Sequence, residues 1–379
     1  MHKFLIGFFL IIATNSLAQN IDSLEVLAAN KDTIAVQALN QLYRVHLNSN
    51  PKKALNYTLN ALDLAMSLNY KKGEASCYNN IGVFYKNQGV LDKAVNYYLQ
   101  SLTINKELHY AEGIAFTYNN IGTIYSIKED YSNALKYFLD SYNILDSIGN
   151  EEAMVGALNN LGNAYLAKEE DYRAIGFYKR ALSIYEKNKG DNSFDPYANI
   201  GHAYFLHGEL NRSLTYYEES LENNKSQGNI NGMGFAYHNM AIIYLAKNNS
   251  SKALSYEKMA LDAADQVLNM ALLRDIYHTL AEIYEQRGNT TLAYKNLKLF
   301  VSFHELLEHE ANVDKSAQME TTYLLMERDK KLALVAKENE LDKLRKSKAR
   351  TVIIIGVMAV MIVLAVLIIF YSVRRQRKT

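Results

Sequence analysis

The sequence predicts an all-α solenoid of about seven helix pairs, each about 40 residues long, followed by a long helical stalk and one transmembrane helix. Three observations carry this. The 379 residues include Gly 18 and only Pro 2, too few breakers for the many turns of a sandwich or barrel. One eight-residue phrase returns at a period of 40. Near the carboxyl end, Val352 to Tyr371 is a run of twenty residues without a charge.

The amino-terminal segment comes first. His2 and Lys3 form a short polar start, Phe4 to Ile12 is apolar, and Ser16-Leu17-Ala18 offers small residues before Gln19. That is the pattern of a secretory signal over residues 1–18, cleaved before Gln19 or retained as an anchor. A lead-in follows over 19–33.

The repeat array is expected over 34–303. YNNIGVFY (Tyr78 to Tyr85), YNNIGTIY (Tyr118 to Tyr125) and LNNLGNAY (Leu158 to Tyr165) are three close copies, and looser ones begin at Tyr197, Tyr237 and Tyr277. Twelve residues beyond the glycine column lies a second column of small residues: Ala54, Ala94, Ala134, Ala174, Ser213, Ala253 and Ala293. Its members define seven units, the first of which, around Leu42, is degenerate. Each unit has two stretches of helical period joined by turns such as NQGVLD, KEDYSN and HGELNR. Gly82 and Ala94 would let paired helices approach closely, with Tyr98 filling the space beside them. A single hairpin cannot bury its apolar face, but stacked hairpins can.

These residues resemble the tetratricopeptide repeats, whose pattern of aromatic, Leu-Gly, Tyr, Ala, aromatic and Ala stands here as Tyr118, Ile121-Gly122, Tyr125, Ala134, Phe138 and Ser141. The period exceeds the usual one of about 34 and is similar to the long-helix variants of kinesin light chains.

Two residues before the glycine column stand Asn40, Asn80, Asn120, Asn160, Asn199 and Asn239, with Thr279 in the last unit. Mid-helix asparagine costs several tenths of a kcal/mol against alanine. Six at one phase therefore have a reason. Either the carboxamides pair with the C=O and N–H of an extended peptide, or they bond between adjacent units. The column resembles the asparagine ladder of O-GlcNAc transferase and kinesin light chain repeats. That resemblance implies a concave groove also lined by Asn79, Val83, Asn119, Thr123, Asn159, Asn163, His202, Phe205, His238, Ile242, His278 and Glu282. The lining is mostly neutral and does not match the carboxylate clamp of chaperone cofactors. An uncharged peptide, or a lipid or glycan carrying amides, is the ligand expected.

A stalk is expected over 304–350. Asn289 to Ile355 contains neither Gly nor Pro, about 100 Å as one helix, with a break expected near Ala311 to Lys315. Tyr323, Met326, Leu334, Leu341 and Leu344 fall near heptad core positions, and Lys330 and Lys337 spoil the seam. Two readings stand: a homodimer formed through this coiled coil, or a single charged helix. The span is expected over 351–373, since Val352 to Tyr371 is about 30 Å long as a helix and matches a bilayer core. Basic residues flank both ends, so orientation rests on the export signal. It places the repeats in the periplasm, the span in the bacterial inner membrane and residues 374–379 in the cytoplasm.

Chemistry is sparse. HELLEH, His304 to His309, sets its histidines five apart rather than the four of a zinc-protease helix. Cys77 stands alone, which excludes an intramolecular disulfide and a CxxC site. No phosphate loop or nucleophile elbow occurs, and no cofactor is expected. Lys+Arg 41 against Asp+Glu 40 gives no basic surplus for nucleic acid. Signal, array, stalk and span together resemble the exported sensor half of bacterial membrane-anchored tetratricopeptide regulators. There a histidine kinase or DNA-binding domain follows the span, but here six residues follow it. The expectation is a non-enzymatic, membrane-anchored protein that binds a peptide or protein ligand. The alternative is a receptor acting through a separate membrane histidine kinase or regulator.

Overall fold

The computed structural model describes residues 21–47, 49–188, 195–309 and eight positions between 322 and 348. The chain divides into two compact units, Met1–Gln318 and Met319–Thr379. In the second, each described position is helical.

In the first unit, helix α1 covers 21–28. Then come α2 (Thr33–His46), α3 (Pro51–Ser67), α4 (Lys71–Asn87), α5 (Leu91–Glu107), α6 (Ala111–Ile127) and α7 (Tyr131–Ser147). Next are α8 (Glu151–Ala167), α9 (Asp171–Lys187), α10 (Pro196–Leu206), α11 (Leu210–Ser226), α12 (Ile230–Ala246), α13 (Ser250–Val267) and α14 (Met270–Gln286). Helix α15 covers 290–309 and is continuous through 304, where the stalk was expected to begin. No strand occurs among the described residues. Pairs α2/α3 to α14/α15 are the seven expected hairpins. The lead-in is itself helical: Leu24 of α1 packs with Ala38 and Leu42 and closes the apolar end of the stack.

Short-range chemistry sets the helix ends. Asparagine or aspartate caps nine amino termini, as where Asp32 accepts from Ala35 N at 2.8 Å and Asn150 from Ala153 N at 3.1 Å. Six of these nine caps are asparagines. From α3 to α9 and from α10 to α15 the turns share one device, a left-handed residue just past the helix. Gly89 (φ 71°) supplies it between α4 and α5, whereas Glu129 (φ 59°) adopts it between α6 and α7 without a glycine's freedom.

The hairpins close on the two small columns. A Cβ at Gly82 would lie 2.4 Å from the Tyr98 ring, at Gly122 2.7 Å from Phe138, and at Gly162 2.3 Å from Tyr178. The glycine column therefore exists to admit the ring sixteen residues later. At the same two positions unit one holds Tyr43 with Thr58, so large and small trade places, and unit six holds Ala241 with Glu257 in place of the ring. A second aromatic layer recurs beside it. Tyr85 stacks on Tyr97 at 5.5 Å, Tyr125 on Tyr137 at 5.4 Å, and Tyr165 on Phe177 at 5.3 Å. Tyr204 on Tyr216 and Tyr244 on Tyr256 continue it. This doubled aromatic layer absorbs much of the Tyr 29.

Among the described residues no helix is long and apolar enough to cross a membrane. The charge-free run at 352–371, the signal segment, the expected break at 311–315 and the tail at 374–379 lie outside them.

Candidate ligand groove

The first helix of each pair carries the asparagine column, and the structure shows what each carboxamide touches. Asn120 Nδ2 donates to Asn79 Oδ1 at 2.7 Å, Asn160 to Asn119 at 2.9 Å, and Asn199 to Asn159 at 2.6 Å. Each bond joins one unit to the one before. Of the two expected readings, the bond between adjacent units is therefore present. The dipeptides Asn79-Asn80, Asn119-Asn120 and Asn159-Asn160 make it continuous, since one residue reaches back while its neighbour receives.

Both ends of the ladder follow from single residues. In unit one α2 stands one residue off the 40-residue register, so Asn40 falls at the receiving place and accepts from Asn80 Nδ2 at 2.8 Å. Unit five has Ala198 at that place, so Asn239 has no amide to reach. Its Nδ2 folds onto the Phe235 carbonyl of its own helix at 2.8 Å. Each ladder donor spends one N–H, and the Nδ2 groups of Asn79, Asn119 and Asn159 make no hydrogen bond with the described residues.

The other expected lining residues separate into two groups. Asn163 accepts the Tyr178 hydroxyl at 2.6 Å, and Thr123 donates to the Asn119 carbonyl at 3.0 Å, so both are partly committed within the chain. His202 is exposed. His238 is not an open groove residue: it is 8% exposed, and its Nδ1 lies 2.8 Å from Oε1 of Glu257, which is fully buried. The register explains the pair, because Glu257 occupies the ring position of unit six. Its other oxygen, Oε2, has no hydrogen-bond partner among the described residues. Burial raises the Glu257 pKa, against the opposing effect of His238, and nearby Asp275 raises it further. His238 also lines a cavity of about 430 Å³ with Ile242, Arg274, His278, Phe300 and His304.

Cys77 is fully buried, its thiol pushed up to about 12 by desolvation, as an inert core residue requires. His304 and Glu308 of the HELLEH segment face each other at 3.6 Å on the exposed side of α15. Among the described residues no three His, Cys, Asp or Glu gather as metal ligands.

Two polar cavities flank the ladder. One, of about 310 Å³, includes Asn40, Arg44, Lys72, Ser76, Asn80 and Asn105. The other, of about 380 Å³, includes Asn159, Asn163, Asp195, Asn199, Ser220 and Asn224. Sequence reasoning missed Asn105, Asp195 and Asn224. A signal for the two asparagines was present, because at their place in the second helix other units carry Leu145, Tyr185 or Ala264.

A helical hairpin stack with a column of small residues facing rings and an amide ladder along its first helices defines a repeat-type binding scaffold. The family model described as tetratricopeptide repeat matches residues 73–147, 153–226 and 194–266, and the chain belongs to the tetratricopeptide repeat superfamily. Among solved structures it is similar to a signal-transduction ATPase with numerous domains carrying a tetratricopeptide repeat sensor, from Pyrococcus horikoshii. That likeness has a TM-score of 0.62 and 19% identity, over 81% of this chain and 47% of that one. It is also similar to apo RapI, with a TM-score of 0.56 and 14% identity over 73% and 99% of the two chains. Aspartyl phosphate phosphatase F from Bacillus subtilis aligns with a TM-score of 0.54 and 15% identity over 72% of each. None of the curated proteins matches the sequence.

Proposed function

We propose that this protein is a non-enzymatic, membrane-anchored scaffold that holds an extended peptide or protein segment along the face of its first helices. The observation that carries the reading is the half-spent ladder. Carboxamides fixed by one bond to the neighbouring unit are preorganised, so their remaining N–H groups can meet backbone carbonyls with little further loss of rotamer entropy. Tetratricopeptide repeats generally mediate protein contacts, which agrees with this use.

Replacing Asn120, Asn160 and Asn199 together by alanine tests it. Helical content should hold, because alanine is the better helix former. Peptide binding by the full chain should fall, each lost amide contact being worth about 0.5–1.5 kcal/mol. A triple variant that melts lower and binds as well as the wild type would make the ladder purely structural.

The anchor is assigned to Val352–Tyr371, on its length and lack of charge. The full chain should stay with membranes through an alkaline carbonate wash, and a chain lacking 351–379 should not. Extraction of the full chain by carbonate would overturn the assignment.

A further inference from the structure

The two polar cavities beside the ladder are the same place in two different units. Every one of Asn40, Ser76, Asn80 and Asn105 in the first has its counterpart 119 residues on, as Asn159, Asp195, Asn199 and Asn224 in the second. The one-residue shift of α2 accounts for that offset in the first helix, and a one-residue deletion between α9 and α10 accounts for it in the others, so the pockets are built by equivalent helices and differ in their side chains. Their charges are opposite. The first is lined by Arg44 and Lys72 and by no carboxylate. In the second, Asn163 replaces the arginine, Asp195 replaces Ser76, and no lysine or arginine lines it.

Asp195 is held rigidly by neutral groups. Its Oδ1 caps α10, accepting from Ala198 N at 3.2 Å. Its Oδ2 accepts the Ser220 hydroxyl at 2.6 Å and Asn224 Nδ2 at 2.7 Å, and both donors are 2% exposed or less. The amino terminus of α10 offsets about half a charge. The rest is unanswered by any cation among the described residues. The second cavity is therefore a polar space with a net negative floor and amide oxygens around it. At about 380 Å³ it is far larger than a metal ion needs.

We propose that the Asp195 cavity receives a lysine or arginine side chain of the peptide bound in the groove. The inference rests on the groove reading above and adds a residue class to it. The ammonium or guanidinium would meet the Asp195 carboxylate, with its remaining N–H groups satisfied by the carboxamide oxygens around it. The equivalent cavity three units earlier, with Arg44 in place of Asn163, would repel the same group. A basic residue is thus admitted at one end of the ladder only, which sets the register of the bound chain.

Selection of a random dodecapeptide display library on the full-length protein tests this. Wild-type selections should converge on peptides with Lys or Arg at one fixed position. Asp195→Asn keeps the helix cap, since asparagine caps as well as aspartate. It should bind the selected peptides about tenfold or more weakly, as expected for loss of a charge-assisted contact. Asn239→Lys, which leaves Asp195 and its cap in place, should lower affinity similarly by putting an ammonium of the chain's own into the cavity. Arg44→Asn combined with Ser76→Asp should create a second basic position in the selected peptides. Converging peptides without a basic position, or unchanged affinity in both the Asp195→Asn and Asn239→Lys variants, would overturn the inference and leave the groove reading standing. Failure to select any peptide would remove both.

Discussion

Gly122→Leu is expected to lower the melting temperature of the protein by several degrees, through overpacking of about 1–3 kcal/mol or more. Even the first atom of the new side chain would stand 2.7 Å from the Phe138 ring and 3.3 Å from the Ala134 carbonyl oxygen. The ring is 2% exposed and the carbonyl is backbone, so neither can retreat cheaply. Unit one supplies the remedy, because the large Tyr43 is accommodated there with Thr58 at the ring position. Gly122→Leu with Phe138→Thr should recover much of the loss, and thermal unfolding of the two single variants and the double one closes the cycle. An additive double variant would show that the glycine column does not exist to admit the ring.

His238→Ala is expected to be more damaging, by about 3–5 kcal/mol, because it strands the buried carboxyl of Glu257 without its partner. Glu257→Gln should have the opposite sign at neutral pH. The amide can keep the His238 contact at Oε1 and carries no charge to desolvate. The pH dependence follows from the raised pKa of Glu257. A carboxyl whose folded pKa lies above its unfolded value contributes stability that is complete below the ordinary glutamate range. That contribution is lost as pH rises through the folded value. Glu257→Gln should therefore match the wild type near about pH 4 and exceed it near about pH 8. Calorimetric or dichroism melts at the two pH values check it. A variant that destabilises equally at both would mean that Glu257 is held as a carboxylate and its ion pair is stabilising.

The repeat architecture was legible because each unit solves the same packing problem, and a packing solution repeated seven times prints its period on the sequence. Small residues at 82 and 94, a ring at 98 and a turn between helices are local demands of one hairpin. The asparagine column was equally visible, but its use was not. Phase alone says that six carboxamides share a face. It does not say whether Asn120 points to Asn79 of the preceding unit or outward, since both choices satisfy the same spacing. Only the approach of adjacent first helices to hydrogen-bonding distance decided for the inter-unit bond and left the Asn79, Asn119 and Asn159 donors over.

The same limit applies at the cavities and at the buried Glu257–His238 contact. Glu257 looks like a surface residue in a helical pattern, until the register puts it where other units bury a ring. Asp195 is a plain helix cap in the sequence, and the charge contrast with Ser76 has meaning only once the two cavities are equivalent places in space. By itself, then, the sequence determined the all-helical class, the seven-unit register, the hairpin packing columns and the single buried thiol, because these follow from contacts within one repeat. The tertiary structure decided which amides are spent between units, where a carboxylate is buried against a histidine, and which cavity is acidic. Those depend on side chains about 20 to 120 residues apart, whose meeting is set by how hairpins stack and by no local pattern.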